Sequence, residues 1–124
     1  RDMGKFSLAI LGDGDFTMGP AAIWTAAHYK IPILIVLHNN TSFGNDEEHQ
    51  ITLAHDRGRP VENAWIGQRM VGPEPNYCHV ARGYGAFAED AVRNPDDLAG
   101  ALKRAIAEVE KGRVALVDVH TVLN

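Results

Sequence analysis

Two short apolar runs, each followed by polar residues, place the strongest constraint on how this chain folds. Residues 8–11 and 33–37 are continuously apolar, as in buried parallel strands, and residues 20–30 between them favour a helix. This order predicts one βαβ unit, whose crossover is right-handed almost without exception. Because open α/β sheets bind ligands at the carboxyl ends of their strands, we expect Asp13 and Asn40 to lie at a ligand site.

Asp13 belongs to a glycine-rich segment, residues 12–16, that we expect to form a surface turn. If the two strands are neighbours, about 4.8 Å apart, the loops leaving their ends can reach one ligand. A glycine turn that enters a helix presents free backbone N–H groups, which suit a phosphate, whereas the carboxylate of Asp13 would repel it. A divalent cation between the two removes the repulsion, and Mg²⁺ combines carboxylate, phosphate and water oxygens in this way. The residues therefore predict a metal-bridged diphosphate.

The same motif resembles the diphosphate-binding motif of thiamine diphosphate enzymes. It consists of Gly12-Asp13-Gly14, then residues 15–38, then Asn39-Asn40. Residues 22–32 are also similar to the corresponding helix and strand entry of benzoylformate decarboxylases and acetolactate synthases. The resemblance implies the thiamine diphosphate-binding fold, with thiamine diphosphate and Mg²⁺ as cofactors.

The resemblance also implies which residues bind the cofactor. The metal ligands would be the side chains of Asp13 and Asn40 and the backbone carbonyl of Ser42. Asp15 departs from the family pattern, because many relatives carry a small residue there, and its additional charge needs a partner. By the same resemblance, the backbone of residues 14–16 would lie against the diphosphate. The implied cofactor-binding residues are Gly12, Asp13, Gly14, Asp15, Phe16, Asn40, Ser42 and Phe43.

Three other interpretations of the first loop compete with this one. An EF-hand loop starting at Asp13 would have Met18 instead of glycine at its sixth position and Trp24 instead of glutamate at its twelfth. A dinucleotide-binding loop would need a third glycine where Thr17 stands and an acidic residue where the asparagines stand. An ordinary turn without a ligand stays open, but it does not explain the paired asparagines.

Composition excludes several classes of partner. The chain has 124 residues and 45% hydrophobic content, enough for the core of one globular domain. A net charge of −4 leaves no basic footprint for nucleic acid, and no apolar run approaches the length of a membrane span. We therefore expect a soluble, cytoplasmic protein without nucleic-acid or membrane partners. Cys78 permits no internal disulfide and is expected to be a small buried or semi-buried residue without chemistry.

The first residues suggest that the chain is a fragment, because residues 1–5 lead almost directly into the first strand. We expect residues 1–124 to form a single, partial domain that binds diphosphate and magnesium. The resemblance implies that a second, pyrimidine-binding domain of the same or a neighbouring subunit supplies an activating glutamate. No catalytic residue is therefore assigned in this chain, which we expect to be inactive alone and to belong to a homo-oligomer.

The rest of the chain continues the alternation of helices and strands. Asn94 and Pro95 are a strong helix start, and the apolar residues that follow recur on one helix face. In the helix predicted at residues 46–57, Asp46, Glu47 and Glu48 complement the macrodipole. Together these elements predict a doubly wound, mainly parallel α/β sheet flanked by helices. The further predicted elements are a short helix at residues 76–84, a short strand at 86–88 and an interior strand at 114–119.

Residues 59–75 lack a clear period and contain three prolines, so we expect a mostly irregular segment. The resemblance implies that this segment and residues 41–45 approach the substrate or a neighbouring subunit. Trp65 is interpreted as an anchor of the segment on an apolar surface. Of the six histidines, only His38 is a candidate neighbour of the site, since His49 and His55 do not share a helix face and His120 has no second histidine beside it.

The resemblance implies an enzyme that acts on 2-oxo acids by decarboxylation, carboligation or both. Acetolactate synthase-like carboligation is the first hypothesis, and a benzoylformate decarboxylase-like activity is the alternative. A noncatalytic α/β binding or subunit-association module is the alternative of a different class. The residues leave open the particular 2-oxo acid, the presence of a flavin elsewhere in the protein, the oligomeric state, and the roles of Asp15 and of residues 59–75.

Overall fold

The computed structural model of this protein describes residues 4–122 as a four-stranded sheet with helices on both faces. The strands are β1 (Leu8–Gly12), β2 (Ile33–Asn39), β3 (Phe87–Ala88) and β4 (Val114–His120). The helices are α1 (Asp13–Met18), α2 (Ala21–His28), α3 (Gly44–Asp56), α4 (Tyr77–Gly83) and α5 (Pro95–Glu110). No helix in residues 4–122 is long and apolar enough to cross a membrane.

The sheet is parallel throughout, in the order β1-β2-β4-β3. Leu8 pairs with Leu34 across β1 and β2, and Ile33 pairs with Val114 across β2 and β4. The first two strands are therefore neighbours, which meets the condition for a shared ligand site, and the predicted interior position of the last strand is confirmed. Since parallel strands end on the same side, the segments after Gly12 and Asn39 leave from one edge of the sheet.

Two separate apolar clusters show that the sheet is covered on both faces. One cluster packs Ile35, Leu37 and Leu116 against α1, α2 and α4. The other packs Leu34 and Val117 against the inner face of α5, whose buried residues are Ala101, Ala105 and Val109. The predicted doubly wound α/β architecture is confirmed, and Cys78 is buried in the first cluster as expected.

The region after β1 differs from the sequence prediction in two ways. The helix expected at residues 20–30 is α2, which confirms that prediction within two residues, but an additional short helix, α1, precedes it and is separated from it by Gly19 and Pro20. The expected surface turn was wrong: α1 begins at Asp13 itself, and Asp13 is only 2% exposed. Glycines and acidic residues are typical of turns, but acidic residues also favour the first turn of a helix.

The remaining predictions mostly hold within one or two residues. Asn94 caps α5, because its side chain accepts a hydrogen bond from the Asp96 backbone N–H. Residues 57–76 contain no helix or named strand, which confirms the irregular segment. Trp65 in this segment is 46% exposed, so the structure does not bury the expected anchor.

Candidate functional site

The carboxyl edge of the sheet carries an open cleft of about 440 Å³, formed where α1 follows β1 and where α3 follows β2. The three predicted metal-ligating residues, Asp13, Asn40 and Ser42, all line it, and His38 does so as well. The other lining residues are Gly12, Gly14, Asp15, Phe43, Gly44, Asn45 and Asp46. The topology therefore brings together the side chains that the sequence placed 27 positions apart at Asp13 and Asn40.

Asp13 has the most unusual environment in the cleft. Its Oδ2 atom is buried and has no hydrogen-bond partner among residues 4–122. Burial raises the pKa of the Asp13 carboxyl, while backbone N–H groups of Gly14, Thr41 and Ser42 oppose that rise. A buried carboxylate oxygen without a partner is costly, and a bound cation would satisfy it.

The turn after β2 is held in one conformation by its two asparagines. The Asn39 side chain donates to Asp118 at 3.0 Å and accepts from the Thr41 backbone N–H at 3.0 Å. Thr41 has a φ of +57°, which is uncommon for a β-branched residue and requires such support. Asn40 Oδ1 accepts from the Ser42 backbone N–H at 3.1 Å, and its second lone pair stays available for a cation.

Gly14 has no room for a side chain, because the ring of Phe43 occupies the space beside its backbone. A Cβ atom at this position would lie 2.6 Å from the ring of Phe43. The aromatic ring therefore packs directly over the backbone of α1. The absence of a side chain at Gly14 is what permits this contact between the two loops of the cleft.

The side chains of Asp15 and Phe16, both predicted to bind the cofactor, lie in different surroundings, one at the cleft and one in the core. Asp15 is exposed at the cleft, and its Oδ2 atom lies 3.4 Å from the position that a Cβ of Gly12 would occupy. The side chain of Phe16 points away, into the core, where its ring meets Tyr77 edge-on at 5.4 Å. The prediction for Phe16 concerned its backbone, and it stays a prediction.

The sequence interpretation missed the role of Glu47. We expected only a macrodipole effect from this residue, whereas the structure buries it to 6% exposure and pairs it with Arg69 and Ser42. The guanidinium of Arg69 lowers the pKa of the Glu47 carboxyl. Arg69 lies 22 positions away across an irregular segment, so no periodic pattern could have indicated the contact.

The oxygen atoms at this edge suit a hard cation. Carboxylate, amide and carbonyl oxygens are the ligands that Mg²⁺ takes, usually together with phosphate and water. Residues 4–122 contain no cluster of three or more histidine, cysteine, aspartate or glutamate residues arranged to hold a metal. A cation bound by Asp13 would therefore depend on amide and carbonyl oxygens and on its ligand's own oxygens.

The family described as "Thiamine pyrophosphate enzyme, C-terminal TPP binding domain" matches residues 2–119. The chain belongs to this family. The resemblance stated from the motif is thereby confirmed, and thiamine pyrophosphate is the same compound as thiamine diphosphate.

Individual relatives agree with the family. The chain is 32% identical over 114 residues to a benzoylformate decarboxylase of Pseudomonas aeruginosa, covering 92% of this chain and 19% of that protein. It is 30% identical over 107 residues to a probable acetolactate synthase large subunit of Methanocaldococcus jannaschii, covering 83% of this chain and 16% of that protein. The chain thus spans about a fifth or less of the length of these relatives.

A solved structure supports the fold. The crystal structure of benzoylformate decarboxylase from Polynucleobacter necessarius superposes with a TM-score of 0.74 at 19% identity, covering 97% of this chain and 20% of that chain. At this identity the likeness shows that the thiamine diphosphate-binding fold is shared.

Proposed function

We propose that this chain binds the diphosphate end of thiamine diphosphate through Mg²⁺, as part of a larger enzyme that acts on 2-oxo acids. The observation that carries the proposal is the buried, unpartnered Oδ2 atom of Asp13, in a cleft that Asn40 and Ser42 also line. Membership of the thiamine pyrophosphate-binding family supports the choice of cofactor. The oxygen atoms that line the cleft support Mg²⁺ as the metal.

Each residue contributes a separate part of the binding. Asp13 contributes the negative charge, and Asn40 and Ser42 contribute neutral oxygens from the other side of the cleft. Gly14 allows the ring of Phe43 to pack against the backbone of α1, where a side chain would collide with it. When bound, thiamine diphosphate supplies a thiazolium carbon nucleophile and an electron sink.

The activity of the whole protein is proposed from its relatives. Relatives named acetolactate synthase and benzoylformate decarboxylase are both similar to this chain. We propose carboligation of 2-oxo acids first and decarboxylation with release of an aldehyde as the alternative. A pyrimidine-binding domain of the same or a neighbouring subunit would provide the activating glutamate, which makes a homo-oligomer the expected form.

The cofactor proposal can be tested by calorimetry on the full-length protein that contains this chain. Thiamine diphosphate is titrated with and without Mg²⁺ into the wild type and into Asp13→Asn. We expect Mg²⁺-dependent binding in the wild type, and at least about a hundredfold weaker binding in the variant, because the only proposed anionic ligand is gone.

The matched control is Asp46→Asn, which removes a carboxylate from the rim of the same cleft. It should retain binding within a fewfold of the wild type. Binding that needs no metal would contradict the Mg²⁺ assignment, and no binding in the wild type would favour a noncatalytic α/β module. Product analysis with pyruvate and with benzoylformate then distinguishes the two proposed activities.

A further inference from the structure

An ion pair between a buried carboxylate, Glu47, and a partly exposed arginine, Arg69, adjoins the turn that carries the proposed metal ligands. Glu47, in the first turn of α3, accepts a hydrogen bond from Ser42 Oγ at 3.0 Å. Its two carboxylate oxygens also accept from Arg69 Nε at 3.0 and 3.1 Å, and Arg69 Nη2 donates to one of them. Both carboxylate oxygens of Glu47 therefore contact Ser42 or Arg69, and Glu47 does not line the cleft.

Backbone hydrogen bonds join the same two segments. The Phe43 N–H donates to the Gln68 carbonyl at 2.9 Å, and the Met70 N–H donates to the Thr41 carbonyl at 2.8 Å. Ser42 and Arg69 form an antiparallel bridge between these bonds. We call residues 41–43, Glu47 and residues 68–70 the clasp.

The clasp also reaches the other side of the site. The sulfur of Met70 accepts a hydrogen bond from the Tyr77 hydroxyl at 3.4 Å and lies 3.6 Å from Thr17 Oγ1. Thr17 lies in α1, one turn after Asp13, and its hydroxyl donates to the Asp13 carbonyl at 2.9 Å. Both elements that carry the proposed ligands are thus connected to residues 68–70.

We propose that Glu47 and Arg69 are positioning residues for the metal site, which hold the Ser42 backbone where its carbonyl can ligate Mg²⁺. This inference rests on the proposed function. The turn needs such support because Thr41 is in the left-handed region and because a neutral carbonyl ligand contributes only if it is already in place. Arg69 also keeps Glu47 from turning towards the cation as a competing ligand.

The clasp couples metal binding to the irregular segment that precedes Arg69. Contacts that hold residues 68–70 against residues 41–43 favour metal binding. By linkage, a bound metal ion must stabilise these same contacts by an equal free energy. Residues 57–70 should therefore be more resistant to proteolysis when Mg²⁺ and thiamine diphosphate are bound. Arg57 is exposed in this segment and is followed by Gly58, so it provides a trypsin site for the measurement.

The test uses the full-length protein with Arg69→Gln, and Arg104→Gln as the matched control. Arg104 makes a similar bidentate pair with Glu89, at 2.8 and 2.9 Å from Nε, but on α5 and outside the cleft. We expect Arg69→Gln to raise the Mg²⁺ concentration for half-saturation, at saturating thiamine diphosphate, by about 10- to 100-fold, as for other residues that orient metal ligands. It should also abolish the cofactor-dependent protection from tryptic cleavage after Arg57.

Arg69→Lys should give an intermediate loss, since lysine keeps the charge but not the bidentate geometry. A purely structural role would lower the unfolding temperature without changing the Mg²⁺ requirement of the folded protein. If the wild type binds with Mg²⁺ and Arg69→Gln behaves like Arg104→Gln in both assays, the positioning role is overturned while the proposed function stands. If the wild type shows no Mg²⁺-dependent binding, the proposed function is contradicted and this inference with it.

A second variant covers the case in which Arg69→Gln does not fold. Ser42→Ala removes the hydroxyl that contacts Glu47 but keeps the backbone carbonyl and the ion pair. We expect it to raise the Mg²⁺ requirement several-fold with no change in the amount of folded protein. An unchanged Mg²⁺ requirement in this variant would overturn the proposal.

Discussion

The buried residues beneath α5 and the buried residues at the carboxyl edge of the sheet differ in polarity. Where α5 packs on the sheet, the buried residues are all apolar, with small alanines on the helix facing Leu34 and Val117 on the strands. At the carboxyl edge of the sheet the described residues bury five polar side chains, namely Asp13, Asn39, Ser42, Glu47 and Asp118. The first region stabilises the fold by apolar burial, whereas the second buries polar groups that are costly to desolvate, at the edge where we propose that the cofactor binds.

Removing a large side chain from the apolar region should give the largest effect on stability. Leu34→Ala should destabilise the domain by about 2–5 kcal/mol, because Leu34 is 3% exposed and the surrounding residues cannot fully fill the space. Hydrogen exchange of the α5 amides in the full-length protein measures this. Leu53→Ala, at a position 42% exposed, is the control and should change little; equal effects would contradict the contrast between the regions.

Filling the space over α1 should affect stability and binding together. Gly14→Ala places a Cβ atom 2.6 Å from the Phe43 ring and should cost about 1–3 kcal/mol through overpacking. It should also weaken thiamine diphosphate binding, since the ring and the helix backbone must separate. Gly19→Ala has nothing within 4 Å of its Cβ and is the control. Thermal unfolding and calorimetry should separate the two variants, and similar results for both would disprove the close packing.

The pH dependence should sharpen the comparison by isolating Asp13. Because burial raises its pKa in the folded state, the stability of the metal-free protein should fall as pH rises from about 4 through that folded pKa, then level off. A tenfold difference in proton affinity between the folded and unfolded states corresponds to about 1.4 kcal/mol. Unfolding of wild type and Asp13→Asn from pH 4 to 8 measures the difference. Asp118 has a raised pKa as well, from burial, so part of the slope should persist in the variant.

Saturating Mg²⁺ and thiamine diphosphate should reverse this trend in the wild type. A bound cation favours the ionised carboxylate, so the apparent pKa of Asp13 should fall and binding should weaken in acid. The slope of stability against pH should then be positive in the acid range. If the slope of stability against pH in the metal-free protein is the same in wild type and Asp13→Asn, Asp13 is not the group whose raised pKa causes it.

The smallest effect is expected at the exposed ion pair of α5. Arg104→Gln removes a bidentate contact, but both partners are well exposed and water replaces it. The unfolding temperature should change by less than in Arg69→Gln, where the partner carboxylate is buried. Side-by-side thermal unfolding checks this, and a larger shift for Arg104→Gln would mean that burial does not distinguish the pairs.

Much of the apolar framework could be predicted from sequence because its patterns are local. The continuous apolar strands, the 3.6-residue period of α5 and its Asn94 cap are each readable within a short window. The convergence of Asp13 and Asn40 could also be predicted, since strand order and the parallel direction place both at one edge.

The polar region was predicted less completely because its contacts join distant segments. The burial of Asp13 depends on the turn after β2 as well as on α1, and the partner of Glu47 lies beyond an irregular stretch without a period. The start of α1 at Asp13 was missed because the same residue types favour turns and helix starts. The sequence therefore indicated the proposed ligands but not the residues that hold them.

The most direct test is a crystal structure of the full-length protein with thiamine diphosphate and Mn²⁺, a substitute for Mg²⁺ that is visible by anomalous scattering. We expect one anomalous peak in the cleft, bound by Asp13 Oδ2, Asn40 Oδ1, the Ser42 carbonyl and diphosphate oxygens, at distances of about 2.0–2.2 Å. A peak bound by other residues, or an Asp13 oxygen that stays outside the coordination sphere of a bound metal, would contradict it.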